Sequence, residues 1–258
     1  INAYLGYTAA AGAETVAGSA ADTDAHTVTI TTTSSVNITS ITATSMVGAL
    51  TNDTAYAAAA APTVSVTDGV AAVSTGYAVT ADASKIADAT TLTSYKSTGD
   101  VTFSNMVSTQ DGGVVGNTAL SNGNTTFGYK ATATSANIAV EDGTTAGNIT
   151  LTGAGLTTVA ITSTGEKNTV GTIDVAAAKT VTIDATTNLT ATQLDTTATE
   201  GTLTISGAGA VKLGTLDAGL DTVNASGNSG GLTAAIGTET DTVITGSSGD
   251  DTITASST

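Results

Sequence analysis

The C-terminal half of the chain repeats one short pattern five times, and this repetition decides the fold class. The copies are TTVAITSTG from Thr157, KTVTIDATT from Lys179, GTLTISGAG from Gly201, DTVNASGNS from Asp221 and DTVITGSSG from Asp241. The second residue of every copy is a threonine, and successive threonines are 22, 22, 20 and 20 residues apart. Each copy alternates apolar and polar residues before a corner rich in Gly, Ser or Asn. This pattern is typical of a strand with one buried face that runs into a turn.

A second, weaker set of apolar residues recurs at nearly the same interval between these copies. Its members are Ile173, Leu194, Leu213 or Leu216, Ile236 and Ile253. Two strands in every 20 or so residues, with turn residues at both corners, predict the coil of a parallel β-solenoid, in which apolar side chains stack from coil to coil. We expect one such inward column to consist of Ile161, Ile183, Ile205, Val223 and Val243.

The sequence therefore predicts an all-β fold with two parts. A parallel β-solenoid is expected over residues 141–258, and a less regular β-rich domain over residues 1–140. In the first part, residues 110–129 are rich in Gly and Asn, and they are predicted to form an irregular insertion or a domain junction. The alternative fold is a set of β-sandwich domains with hairpins at similar spacing.

Composition and charge exclude several classes of function. The chain has 22 acidic and 6 basic residues, all of them lysines, which give a net charge of −16. No basic cluster is available to bind phosphates, so we expect no nucleic-acid partner. Cysteine is absent, which excludes disulfides and thiolate–metal sites, and the only histidine is His26. We therefore expect no enzymatic activity.

The ends and the hydropathy of the chain give two further expectations. No apolar run approaches the length of a membrane span, so no transmembrane segment is predicted. The chain begins with INAYLGYTAA, without an initiator methionine or a basic n-region. This start indicates a part of a longer chain and argues against a signal peptide.

The most specific motif lies near the C-terminus. Residues 246–254, GSSGDDTIT, follow the calcium-binding nonapeptide pattern G-G-x-G-x-D-x-U-x at every defined position except the second, where serine replaces glycine. In such repeats, glycine frees backbone carbonyls and aspartate supplies carboxylate oxygens for Ca²⁺ between neighbouring coils. The candidate metal ligands and the turn glycines beside them are Asp221, Asp241, Gly246, Gly249, Asp250 and Asp251. The alternative is that these aspartates are only turn residues that precede strands.

This composition, together with the terminal nonapeptide, resembles bacterial surface-layer proteins that are exported by type I secretion. The resemblance is compositional over the whole chain and rests on a motif only from Leu216 to Thr254. It implies β-solenoid lattice domains, bound Ca²⁺, self-assembly and a location on the bacterial cell surface. A single good repeat and the lack of a recognisable anchoring domain depart from that family.

The expected function is a structural, self-assembling extracellular protein that builds a surface layer or a filament and is stabilised by calcium. Its expected partners are further copies of the same chain, with a cell-surface polysaccharide as a second candidate. An adhesin or passenger domain that binds glycans or host surfaces is the alternative. Ice binding is a weaker alternative, because pairs such as Thr180 and Thr182 supply pieces of a threonine ladder that Ala160 interrupts.

Overall fold

The protein is all-β, and its strands form a parallel β-solenoid of about 7 turns across residues 80–254, which confirms the predicted fold class. The computed structural model describes residues 15–17, 27–31, 36–38, 63–67, 79–85, 89–116, 121–145, 147–175, 177–196, 199–217, 219–237 and 242–255. These residues contain no helix with the length and hydropathy of a membrane span.

After the first strand, the strands alternate along the chain between two sheets. The first sheet contains β1 (Thr15–Ala17), β2 (Thr27–Thr31), β4 (Thr63–Thr67), β6 (Thr91–Tyr95), β8 (Asp111–Val115), β10 (Ser135–Glu141), β12 (Thr158–Thr164), β14 (Thr180–Ala185), β16 (Gly201–Gly207), β18 (Leu220–Asn228) and β20 (Val243–Thr245). The second sheet contains β3 (Val36–Ile38), β5 (Val79–Asp82), β7 (Val101–Met106), β9 (Thr125–Tyr129), β11 (Ile149–Thr152), β13 (Asn168–Asp174), β15 (Leu189–Asp195), β17 (Val211–Leu216), β19 (Leu232–Ile236) and β21 (Thr252–Ala255). A 3₁₀ turn, Ala83–Lys85, follows β5.

Within each sheet the strands are parallel neighbours in chain order, with one exception. Strand β1 pairs with β2 in the antiparallel direction. Parallel pairing runs without a break past residue 140, because β10 pairs with both β8 and β12. The solenoid is thus not confined to residues 141–258 but reaches back to about residue 80. The division into two domains near residue 140 stays a prediction.

The core lies between the two sheets and consists of stacked aliphatic columns. In the first sheet, Ile161, Ile183 and Ile205 are neighbours on successive strands, and all three are at most 2% exposed. In the second sheet, Ile173, Leu194 and Leu216 form an equivalent column. Leu216 therefore belongs to this column, and Ile236 continues it, while Leu213 is also buried but pairs with Ala191 in another column. Ile253 instead pairs with Ala234 in a different column.

The predicted inward column is wrong at its last two members. Val223 pairs with Leu203 rather than with Ile205, because Val223 directly follows Thr222 just as Leu203 directly follows Thr202. It therefore lies in a different inward column from Ile205. Val243 pairs with Thr222 on the outer face and is 63% exposed, while Ile244 pairs with Val223 and packs against the core. A shift of one residue moves a side chain to the opposite face of a strand. Two adjacent apolar residues at positions 243 and 244 leave that choice open in the sequence.

The prediction of an irregular segment at residues 110–129 is also wrong, since β8 and β9 lie within it. Glycine is needed on β8 because the neighbouring coils fill the interior with large side chains. Phe103 and Phe127 stack with their ring centroids 5.7 Å apart, and a Cβ on Gly112 would lie 2.5 Å from Ile138 Cδ1. Glycine in a strand often marks such a close approach.

A ladder of polar side chains fixes the register along one corner of the second sheet. The Oδ1 atom of Asp100 accepts the backbone N–H of Asn124 at 2.9 Å. Asn124 accepts the N–H of Asn148 at 3.0 Å in the same way, and Asn148 accepts that of Thr172 at 2.9 Å. Each side-chain oxygen thus accepts a backbone N–H from the next coil, 24 residues further along the chain.

Candidate functional site

The nonapeptide segment forms the turn that joins β20 to β21 at the C-terminal end of the solenoid. Asp251 is the sixth residue of the pattern, and its carboxylate accepts three hydrogen bonds. Its Oδ1 atom accepts the backbone N–H of Leu232 at 2.8 Å and the hydroxyl of Ser247 at 2.6 Å. Its Oδ2 atom accepts the backbone N–H of Ser247 at 2.8 Å. Asp251 therefore ties its own turn to the preceding coil.

These hydrogen bonds also act on the charge of the carboxylate. The hydroxyl of Ser247, followed by the backbone N–H of Leu232, holds the pKa of Asp251 below its ordinary value, because both donors bond the ionised form. Gly246 allows this arrangement, since a Cβ there would collide with Asp251 Oδ2. Gly249 lies where a Cβ would be 2.7 Å from the backbone nitrogen of Gly231. Both glycines of the pattern thus permit close packing of the turn.

Of the other predicted aspartate ligands, only Asp250 lies in this turn in the described residues. Asp250 is exposed beside Asp251, whereas Asp221 is exposed near the start of β18. The turn with Asp250 leads from the first sheet into the second, and Asp221 follows the opposite corner, which leads from the second sheet into the first. Asp241 lies outside the described residues. No group of three or more His, Cys, Asp or Glu side chains that could hold a metal ion occurs in the described part of the chain.

In earlier coils, two buried asparagines bond backbone N–H groups at the corners, as Asp251 does in the last turn. Asn228 is 1% exposed, and its Oδ1 atom accepts the backbone N–H groups of Gly230 and Gly231 at 3.1 and 2.9 Å. Its Nδ2 atom donates to the carbonyls of Gly207 and Gly209 at 3.0 and 2.9 Å. Buried backbone groups at a corner need such partners, because leaving them unpaired is costly.

Asn168 is completely buried and serves the corner after β12. Its Oδ1 atom accepts the backbone N–H groups of Gly143 and Thr144, and its Nδ2 atom donates to the carbonyls of Val140 and Thr164. Neither asparagine is predicted from the sequence, because their burial depends on where each corner closes. The available signal was the asparagine near the corner that follows the repeated pattern, Asn168 after residues 157–165 and Asn228 at the end of the copy from Asp221.

A row of three aspartates lies at the ends of strands in the second sheet. Asp174 and Asp195 are register partners on β13 and β15, and Asp217 follows Leu216, the partner of Leu194. A side-chain hydrogen bond with Asp217, together with burial and the charges of Asp217 and Asp174, raises the pKa of Asp195 to about 6. The sequence analysis missed this row, although an aspartate directly follows each of the apolar residues Ile173, Leu194 and Leu216.

The C-terminal end of the solenoid exposes apolar side chains on the last strand of each sheet. Strands β20 and β21 are the last strands of their sheets, so each has only one neighbour among the described residues. Val243 on β20 is 63% exposed and Ile253 on β21 is 38% exposed. Exposed strand edges with apolar residues are templates for pairing with another chain. This end, formed by β20 and β21, is called the C-terminal end below.

Comparison with known proteins adds no relative. No family model matches the chain, and no curated protein or solved structure is significantly similar to it.

Proposed function

We propose that this protein is a structural building block that associates with further copies of itself through its C-terminal end. The observation that carries the proposal is that β20 and β21 each have only one neighbouring strand among the described residues, and that each exposes an apolar side chain, Val243 and Ile253 respectively. Natural β-proteins usually protect such edges with charges, bulges or a covering segment. Solenoids in particular need a polar cap at their ends when they remain monomeric.

The compositional resemblance to bacterial surface-layer proteins supports an extracellular location on the cell surface as part of this proposal. A chain without cysteine depends on no redox compartment for its fold. Its net charge of −16 keeps free copies apart at low ionic strength, so association must come from a localised surface.

The experiment that tests the proposal places charges on the C-terminal end. The variant Val243→Lys with Ile253→Lys is compared with the parent by analytical ultracentrifugation and negative-stain electron microscopy. We expect the parent to form oligomers or ordered assemblies at high concentration and the double variant to remain monomeric. Lysine suits this purpose because it is a common protector of natural edge strands.

A control variant adds one lysine at an equally exposed position away from that end. Tyr95 is 38% exposed, as Ile253 is, and it lies on β6 in the middle of the first sheet. Tyr95→Lys should associate as the parent does. A parent that stays monomeric at high concentration, or a double variant that assembles like the parent, would show that the proposal is wrong.

Calcium stabilisation is the second part of the proposal. It rests on the nonapeptide pattern and on the pair of exposed carboxylates Asp250 and Asp251. A carboxylate offers about four lone-pair positions, and three are used by the donors around Asp251. Calcium requires six to eight oxygen ligands, so Asp251 would supply at most one of them, and Asp250 and backbone carbonyls of the turn would supply others. Bound calcium would neutralise part of the negative charge at this end.

Isothermal titration with Ca²⁺ tests this part separately. Asp250→Asn is the diagnostic variant, because Asp251→Asn would also break the turn. We expect Asp250→Asn to bind Ca²⁺ at least several-fold more weakly than the parent. Asp142→Asn, which changes a carboxylate in a turn that precedes β11, should bind as the parent does. Equal binding by all three proteins would mean that the pattern serves only the hydrogen-bonded turn.

A further inference from the structure

The outer face of the first sheet contains a groove that the association of copies does not use. It has a volume of about 360 Å³ and spans β6, β8, β10 and β12. One row of register partners crosses it, and this row reads Thr93, Gly113, Ala139 and Thr162 on the four strands. The two small residues in the middle form a floor, and the two threonines form walls. The volume lies in the range of small-molecule sites.

Polar groups surround this floor. Asp111 and Asn137 lie in the next row, where the Nδ2 atom of Asn137 donates to Asp111 Oδ1 at 2.9 Å. Glu141 lies at the far end of β10, and its Oε1 atom accepts the hydroxyl of Thr164 at 3.3 Å. Each carboxylate therefore keeps lone pairs for a further donor. Their positions on the strands differ by four residues, or about 13 Å, so one small cation cannot contact both.

The hydroxyl of Thr93 is the observation that points to a ligand. Thr93 is only 8% exposed, and the structure shows no hydrogen bond from its hydroxyl to a described residue. A Cβ built on Gly113 would lie 2.9 Å from Thr93 Oγ1, so this oxygen overhangs the floor of the groove. This oxygen is not among the wholly buried atoms of the described residues that lack a partner, so it is open to the groove, where water or a ligand can bond it.

We propose that this groove binds a saccharide ring or a short stretch of a neutral polysaccharide. A sugar ring has an apolar C–H face, which fits the uncharged floor of Gly113, Ala139 and Ala160. Its hydroxyl groups are both donors and acceptors. They match the carboxylates of Asp111 and Glu141, which accept, and the hydroxyl of Thr93, which does both. The site does not depend on the association of copies, because it lies away from β20 and β21.

The test uses the full chain and three neutral probes, maltohexaose, cellohexaose and xylohexaose, titrated by NMR and by calorimetry. Spermine is titrated in parallel, because an amine would exploit the carboxylates alone. We expect at least one oligosaccharide to bind the parent. Ala139→Leu, which fills the floor from the outer face, should weaken that binding more than tenfold. Thr93→Val should weaken it about fivefold, the effect of losing one hydrogen bond.

Ala235→Leu is the matched control, because Ala235 is also half-buried on an outer face but lies on β19 in the other sheet. It should bind as the parent does, and thermal melts of all variants should show that they remain folded. The proposal is overturned if none of the three oligosaccharides binds, if spermine alone binds, or if Ala139→Leu binds the oligosaccharide as tightly as the parent.

Discussion

Single polar residues decide much of the local stability, because the interior of the solenoid leaves little access to water. Most buried polar side chains in the described residues have partners, as Asn168 and Asn228 show. Among the described residues, the hydroxyl of Thr125 is the one side-chain polar atom that is wholly inaccessible to water and has no partner. Thr125 faces the core between Val101 and Ile149 on adjacent coils. A buried polar group without a hydrogen bond is destabilising.

Replacing this hydroxyl with a methyl group should therefore stabilise the protein. We expect Thr125→Val to raise the free energy of unfolding by about 1–2 kcal/mol, since it keeps the shape and removes the unpaired group. Urea denaturation measures the change. Thr126→Val, on the outer face of the same strand, is the control and should change stability by less than about 0.5 kcal/mol. A destabilised Thr125→Val variant would show that this hydroxyl has a partner.

The opposite result is expected at Asn228. Asn228→Ala leaves several buried backbone groups of the corner unpaired, and we expect it to lower the free energy of unfolding by about 3 kcal/mol or more. Asn224 is on the same strand, and its Oδ1 atom accepts only the exposed N–H of Ser226. Asn224→Ala should cost less than about 1 kcal/mol. Similar losses in the two variants would contradict the structural role of Asn228.

At the level of strands and turns, alternation made the second half predictable. The first-sheet strands β12, β14, β16 and β18 begin at or within two residues of the repeated threonines, because one apolar residue at every second position specifies a face. The same logic failed at Val243 and Ile244, where both faces receive an apolar residue. It failed at residues 110–129 because Gly112 and Gly113 look like turn residues, although Phe127 and Ile138 require glycine there.

The candidate site was predictable only in part, because the sequence of one segment does not show which strands lie beside it. The nonapeptide located the turn of Asp251 correctly in sequence, since glycines and aspartate at fixed spacing specify a tight corner. The Asp174, Asp195 and Asp217 row and the groove depend on which strands are neighbours. For these strands, register partners on neighbouring coils are 20 to 26 residues apart. This varying coil length decides which residues become neighbours, and no pattern within a single strand reveals it.

The row of aspartates predicts a pH dependence with a definite sign. The pKa of Asp195 is raised to about 6 from an ordinary value of 3.8, so between these values the folded protein binds more protons than the unfolded chain. Stability should therefore fall as the pH rises from about 4 to 7, and thermal melts should show a higher Tm at pH 5 than at pH 7. Asp251 has the opposite sign, but its contribution is lost only below about pH 4.

Asp195→Asn should remove this dependence, because the amide carries no charge and can donate to Asp217. We expect a Tm at pH 7 roughly 1–3 °C above that of the parent, a modest gain because the pair is largely solvated. Asp221→Asn changes an exposed carboxylate near the start of β18 and serves as the control. A parent whose Tm rises steadily from pH 5 to pH 7 would contradict the role of Asp195.

On the scale of the whole molecule, each coil contacts mainly the coils directly above and below it. A solenoid of this kind is held together by interfaces between neighbouring coils, so damage should spread over a limited distance. Ile183→Asp buries an unpaired charge in the column between Ile161 and Ile205. We expect amide hydrogen exchange to lose protection in β12, β14 and β16, while β7 and β9 remain protected.

Thr182→Asp, on the outer face of the same strand, is the matched control and should leave the exchange pattern unchanged. Uniform loss of protection in Ile183→Asp from β5 to β21 would mean that the solenoid unfolds as one cooperative unit instead. A pattern close to that of the parent would contradict the inward register of Ile183.

The reversed first strand makes the two poles of the molecule unlike, because the first sheet begins with the antiparallel β1 and ends with the parallel β20. Contact between two C-terminal poles would be isologous and would close at a pair of copies. Contact between unlike poles would not close, and it would grow into a fibre with a direction. The eleven strands of the first sheet in the described residues span about 50 Å at about 4.8 Å per strand. Such a fibre would diffract at that axial period in addition to the strand spacing, whereas pairs would show the strand spacing alone.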